Sequence, residues 1–216
     1  MPSDARLYLD LQISTGPPEV SLTILAAALS AGPIASVLIR PDPADQIDVK
    51  VLRAIISLVQ SKGVATFLSD DAQLAGRLDA DGTHLSWSND VVQRYKLARQ
   101  AAAAGAMIGA DAGRTRHDAM ELAEGGADYV AFGIPAHVQD RERAAERQLD
   151  LVSWWSELFE VPCVAFDVAT ADEARQLAEA GADFIALTVS SSEDAREVAR
   201  SVREFLDALR VHERAR

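Results

Sequence analysis

LAEGGADYVAFG (Leu122–Gly133) is followed by a near copy of itself, LAEAGADFIALT (Leu177–Thr188), 55 residues further on. Each copy reads as the end of a helix, a glycine turn, and then an apolar run of strand length. Gly125–Gly126 and Gly181 suit a left-handed exit from the helix. Ala127 and Ala182 permit close packing. Asp128 and Asp183 suit the tight turn into the strand, and Tyr129 and Phe184 are expected to fill the layer between sheet and helix. Two copies of helix-end, turn and strand at such a spacing imply two units of a repeating strand–helix fold.

Working outward from this pair, the same alternation covers the chain. Strands are expected at 6–12, 34–40, 63–69, 81–86, 105–111, 128–133, 161–167 and 183–189. Amphipathic segments lie between them. SLTILAAALSAG stops at Gly32. DQIDVKVLRAIISLVQSKG places Ile47, Val51, Ile55, Leu58 and Val59 at helical spacing and stops at Gly63. TADEARQLAEAG opens with Thr170 as an N-cap and Glu173 as its capping-box partner, and a charged helix follows from about Glu193 to Arg210. Alternating strands and helices make a parallel sheet. Eight pairs with no break in composition predict a single-domain (β/α)8 TIM barrel over residues 1–216. An open doubly wound sheet is the competitor; it lacks support because no glycine-rich dinucleotide turn follows the first strand.

Composition narrows the partners. The chain of 216 residues carries 21 Lys and Arg against 33 Asp and Glu, a formal charge of −12. Nucleic acid rewards the opposite balance, so it is excluded as a partner. No apolar run is long enough to cross a bilayer, and the start lacks the basic-then-apolar pattern of a secretory signal. Cys163 is the only cysteine. A cytoplasmic location is therefore expected. Trp154 and Trp155, on the sixth helix, suit packing or an interface in a homo-oligomer.

In a barrel of this kind, chemistry sits at the carboxyl ends of the strands, where the two copies diverge: FGIPAHVQD against LTVSSSED. That rim collects Asp10, Asp42, Asp70, Asp71, Asp90, Asp111 and Asp167, with Arg40, Arg114 and the RERAAER segment as the cations. Converging carboxylates bind hard cations; the plain alternative is helix capping. His84 reads as a packed, hydrogen-bonded histidine and Cys163 as a small buried residue. Trp87 can stack on a flat ring or plug the pocket.

LYLDLQ, SDDAQLAGRLDADGTHLSWSND, MIGAD with ADYVAFG, and VPCVAFDV with AGADFIAL, taken in order, resemble the thiamine phosphate synthase family and its thiazole tautomerase relatives. The resemblance runs nearly the whole chain. It implies a (β/α)8 barrel that joins hydroxymethylpyrimidine diphosphate to thiazole phosphate with Mg2+ and loss of pyrophosphate, hence a phosphorylated small-molecule ligand. Carried over residue by residue, it implies Asp70 with Asn89 or Asp90 for Mg2+, and Arg40 for diphosphate. It also implies Ser190 and Ser191 for thiazole phosphate and, from the tautomerases, His137 for proton transfer; Trp87 would stack on the ligand.

Other family positions differ. Asp42 stands for a Lys, Ser69 for an Asn, Ser86-Trp87-Ser88-Asn89 for Gly-Gln-x-Asp, and Asp167-Val168 for Gly-Gly. IPAHVQDRERAAERQ (134–148) replaces a Thr-x-Thr-Lys loop. These changes predict little or no thiamine phosphate synthesis. They leave open a catalytically inactive paralogue that binds a small molecule or a partner, or a different reaction on the same scaffold.

Overall fold

The structure, a computed structural model, describes residues 5–42, 44, 45, 48–135 and 137–210. Each strand is followed by a helix: β1 (Arg6–Ile13), α1 (Pro18–Ala31), β2 (Ser36–Pro41), α2 (Val49–Gln60), β3 (Ala65–Ser69), α3 (Ala72–Arg77), β4 (Gly82–Leu85), α4 (Val91–Ala101), β5 (Met107–Asp111), α5 (Arg116–Glu124), β6 (Tyr129–Phe132), α6 (Arg141–Leu158), β7 (Cys163–Ala165), α7 (Ala171–Glu179), β8 (Phe184–Ser190) and α8 (Ala195–Arg210). The strands pair in parallel in chain order, and β8 returns to β1, closing the expected barrel. Among the described residues no helix is long and apolar enough to cross a membrane.

Local chemistry sets the boundaries. Pro18 opens α1 and Gly32 follows it. Asp48, Asp71, Thr115 and Asp140 cap α2, α3, α5 and α6 by accepting main-chain N–H groups. Thr170 caps α7 as expected, but its partner Glu173 reaches the N–H of Ala169 rather than that of Thr170. Ile47, expected on the apolar face of the second helix, lies outside the described residues. Leu52, Ile55, Ile56 and Val59 form the buried face of α2.

Strand alternation divides the core in two. Outward residues such as Leu9, Val37, Leu68, Ile108, Val130, Phe132 and Ile185 pack against the helices. Inward residues fill the barrel: Tyr8, Leu38, Phe67, Tyr129, Ala131, Val164, Phe166 and Ala186. This corrects the placement of Tyr129 and Phe184. Tyr129 points into the barrel, where its hydroxyl meets those of Tyr8 at 3.0 Å and His84 Nδ1 at 2.9 Å. Phe184 packs against the same interior cluster, beneath the Arg6 guanidinium at 4.4 Å. Their outward neighbours Val130 and Ile185 occupy the helix layer instead. A Cβ at Gly109 would collide with the Tyr129 ring, so the missing side chain is what admits the phenol. His84 is buried against Phe166 at 4.8 Å, and burial, with Arg40 nearby, lowers its pKa to about 3. It is the packed, hydrogen-bonded histidine the sequence suggested. Trp155 is buried too, donating to the carbonyl of Val161 at 2.7 Å.

The repeated letters gain a specific cause. Gly126 and Gly181 take positive φ (86° and 101°), and the aspartate two residues on reaches sideways. Asp128 Oδ2 accepts the N–H of Ile108 at 2.7 Å, and Asp183 Oδ2 accepts that of Cys163 at 2.8 Å. Asp81, also after an alanine, accepts the N–H of Thr66 at 2.7 Å. Each carboxylate thus latches the start of one strand onto the strand before it. Asp183→Ala should destabilise the fold by about 1–3 kcal/mol, the cost of leaving a half-buried N–H without its acceptor, whereas Asp183→Asn should lose less than half of that. Urea denaturation of the three proteins reads the difference.

Candidate active site

Inward side chains near the carboxyl ends of β1, β2 and β5 reach the mouth of the barrel. Asp10, on β1, is 3% exposed. Arg40, on β2, donates from Nε to its two oxygens at 3.0 and 3.3 Å, and from Nη1 to Ser86 Oγ at 2.6 Å. Burial raises the pKa of Asp10, with the Arg40 charge pulling the other way. Burial works against the Arg40 charge as well, but Asp10 outweighs it, so the guanidinium stays fixed and protonated. A cavity of about 430 Å3 opens beside it, lined by Gln12, Asp42, Asp70, Ser86 and Ser190 among others. Arg40 is the only cationic side chain among the described residues that line it.

Asp70 follows β3 with φ of 61°. Its Oδ1 accepts from Ser86 N at 2.9 Å and Arg94 Nη2 at 2.6 Å, and its Oδ2 accepts from Ser86 Oγ at 2.7 Å. Burial alone would raise its pKa; the Ser86 and Arg94 hydrogen bonds win and hold it below the ordinary carboxylate range. Asn89 and Asp90, the other expected metal ligands, lie exposed at the start of α4. Among the described residues no three His, Cys, Asp or Glu side chains are grouped to hold a metal ion. With a guanidinium already against Asp70, these residues do not fit Mg2+ as they stand.

Across the mouth, Asp111 ends β5. Its Oδ1 accepts the N–H groups of Gly113 at 2.7 Å and Gly133 at 3.0 Å. Asp167, with φ of 58°, accepts the N–H of Ile134 at 2.8 Å. A Cβ on Gly133 would collide with Asp111 Oδ2 and touch Asp167 Oδ2 at 3.0 Å, so the two carboxylates converge on one spot. Trp87 covers Gly113, and its ring meets that of His137 at 5.2 Å. His137 is exposed and turned onto Trp87, so the two expected ligand contacts engage each other. After β8, the N–H of Ser190 is taken by Glu193, and Asp194 accepts from Arg196 and Glu197 at the head of α8. Ser191 is buried, its Oγ accepting the N–H of Ser14 at 3.1 Å. SSSED is thus an internally satisfied capping turn.

The structure brings Arg40, Asp70 and Ser190 to one cavity, pairs Trp87 with His137 beyond it, and leaves Ser191 structural. The RERAAER segment forms the opening turns of α6, with Arg141 donating to the carbonyl of Ile134 at 3.2 Å. Gln148 donates to the carbonyls of Phe132 and Phe166, both at 2.6 Å, tying β6 to β7. Sequence reasoning passed over Arg94, which lies one turn into a helix rather than at a strand end.

The family profile described as thiamine monophosphate synthase matches residues 12–190. A thiamine-phosphate synthase of Rhodospirillum centenum is 38% identical over 186 residues, 86% of this chain and 88% of that protein. One of Hyphomonas neptunium is 37% identical over 188 residues, 85% and 84% of the two chains. Among solved structures, a thiamine phosphate pyrophosphorylase from Pyrococcus furiosus superposes with a TM-score of 0.69 at 19% identity, covering 95% of this chain and 96% of that one. The tryptophan synthase A-subunit from the same organism superposes at 0.73 with 13% identity, covering 96% and 100%. These two likenesses show the barrel fold alone.

Asp111 makes the mouth sensitive to pH. Burial, reinforced by Asp167, raises its pKa to about 7 against the pull of the two glycine N–H groups. Below about pH 4 the folded and unfolded chains are both protonated here. Between about 4 and 7 only the unfolded chain ionises, so the folded state loses stability across that window and no more above it. Asp111→Asn keeps an acceptor for both N–H groups without the charge. It should stabilise the protein at pH 8 by up to about 4 kcal/mol more than at pH 4, read from urea denaturation at the two pH values. An equal effect at both would show that the folded chain does not raise the pKa of Asp111.

Proposed function

The chain belongs to the thiamine monophosphate synthase family, and on that premise we propose that its barrel mouth binds a phosphorylated small molecule of thiamine biosynthesis at Arg40 while joining the two thiamine precursors slowly or not at all. The observation that carries this reading is the occupancy of the main-chain donors. A diphosphate needs N–H groups and cations aimed at it. Here the N–H groups of Gly113 and Gly133 serve Asp111, that of Ile134 serves Asp167, that of Ser190 serves Glu193, and that of Ser86 serves Asp70. Asp42 lines the cavity where the resemblance would have a lysine.

Arg40 is left as the cation facing the cavity, clamped between Asp10 and Ser86, and it suits a single phosphate group. In the family reaction the bond from the pyrimidine methylene to pyrophosphate breaks and one to the thiazole nitrogen forms, so charge builds on the departing pyrophosphate. Each preorganised donor to such a charge is worth about 2.7–4 kcal/mol. Losing two would slow the step roughly 10⁴-fold.

A second reading has its own support. Asp111 and Asp167 meet at Gly133 with burial raising the pKa of Asp111, and a carboxyl whose pKa is held near neutrality at the mouth is what acid–base chemistry on a neutral ligand uses. Supplying hydroxymethylpyrimidine diphosphate and thiazole phosphate, with and without Mg2+, separates the cases. Formation of thiamine phosphate at or below about 10⁻³ per second is expected, and turnover near one per second would overturn the proposal.

A further inference from the structure

The corner around Asp70 already holds a cation. Arg94 lies one turn into α4, so its side chain runs back towards the strand ends. There its guanidinium meets three acceptors: Nη2 donates to Asp70 Oδ1 at 2.6 Å, and Nη1 donates to the Ser86 carbonyl and to Ser88 Oγ, both at 3.1 Å. Asp70 accepts three hydrogen bonds in return. Oδ1 takes the N–H of Ser86 besides Arg94, and Oδ2 takes the Ser86 hydroxyl, whose oxygen also accepts from Arg40. The result is a row of alternating charge across the mouth: Asp10, Arg40, Ser86, Asp70, Arg94.

We propose that the Arg94 guanidinium replaces a divalent cation at this corner, making Asp70 the anchor of a built-in positive charge rather than a metal ligand. Mg2+ requires about six oxygens at roughly 2.0–2.1 Å and sheds its water reluctantly. To reach Asp70 it would have to displace a guanidinium held at three points, or sit beside a like charge. Arg94 cannot exchange with solvent or be removed by a chelator. A phosphorylated ligand in the adjoining cavity therefore meets Arg40, backed by a network whose charge is fixed by the chain itself. The inference rests on the geometry at Asp70 and holds whichever reaction the mouth supports.

The test uses Mn2+ as the probe, followed by the paramagnetic resonance signal of the free ion and by thermal melting of the full chain. The wild-type protein should take up no Mn2+ that depends on Asp70, so Asp70→Asn should leave uptake unchanged. Arg94→Gln should gain a site, binding Mn2+ about tenfold or more tighter than wild type because a contacting like charge is gone, with a melting temperature that rises on adding Mn2+. The double variant Arg94→Gln with Asp70→Asn should lose that site again. Two results would overturn the proposal: Mn2+ uptake by wild type that Asp70→Asn abolishes, or a folded Arg94→Gln protein that gains nothing. If Arg94→Gln does not fold, the Asp70→Asn comparison on the wild-type background decides alone. No arm uses a thiamine precursor, so failure here is distinct from failure of the proposed function.

Discussion

Both ends of this barrel depend on an aspartate carboxylate accepting main-chain N–H groups that no neighbouring strand can satisfy. At the amino end, Asp81, Asp128 and Asp183 take the N–H groups of Thr66, Ile108 and Cys163, near the starts of β3, β5 and β7, and so join the strands in pairs. At the carboxyl end, Asp70, Asp111 and Asp167 take the N–H groups of the loops that leave β4, β5 and β6. A buried donor without an acceptor costs about 1–3 kcal/mol, and one carboxylate can serve two or three of them. Among the described residues no buried side-chain polar atom is left without a partner. Part of the acidic excess of the chain is therefore structural.

The same interaction bears on chemistry because it competes with a ligand. Main-chain N–H groups at strand ends and helix starts are the usual receptors for phosphate in barrels of this kind. When a side-chain carboxylate occupies them, the receptor is filled and its local charge reversed. Trp87 and His137 close one side of the mouth against each other, and the aromatic packing of Tyr8, Phe67, Tyr129 and Phe166 closes the barrel from below. Among the described residues, the space beside Arg40 stays open.

Much of the architecture was legible in the sequence, since short apolar runs, glycine stops and Thr or Asp caps are local signals. All eight strands fall where those signals put them. The facing of Tyr129 and Phe184 was not, because an apolar residue suits either side of a strand buried on both faces. Arg40 and Asp70 could be found at strand ends, but their engagement with Ser86 and Arg94 joins β2, β3, β4 and α4, and no single stretch of sequence contains it. Asp111 could be counted on the rim. Its burial and its two glycine donors depend on how the loop after β6 returns beside β5.

Asp70 and Asp167 share a backbone feature with a consequence for how such a mouth changes over generations. Both sit at φ near 60°, a conformation that costs a residue with a Cβ about 1 kcal/mol and a glycine nothing. The turn after β7 is therefore already shaped for the glycine that the family resemblance implies there. An Asp-to-Gly exchange at 167 needs only one altered nucleotide in the codon, relieves the backbone and frees the N–H of Ile134. One step from an acidic mouth towards a phosphate-accepting one is thus a single codon change, taken without rebuilding the barrel.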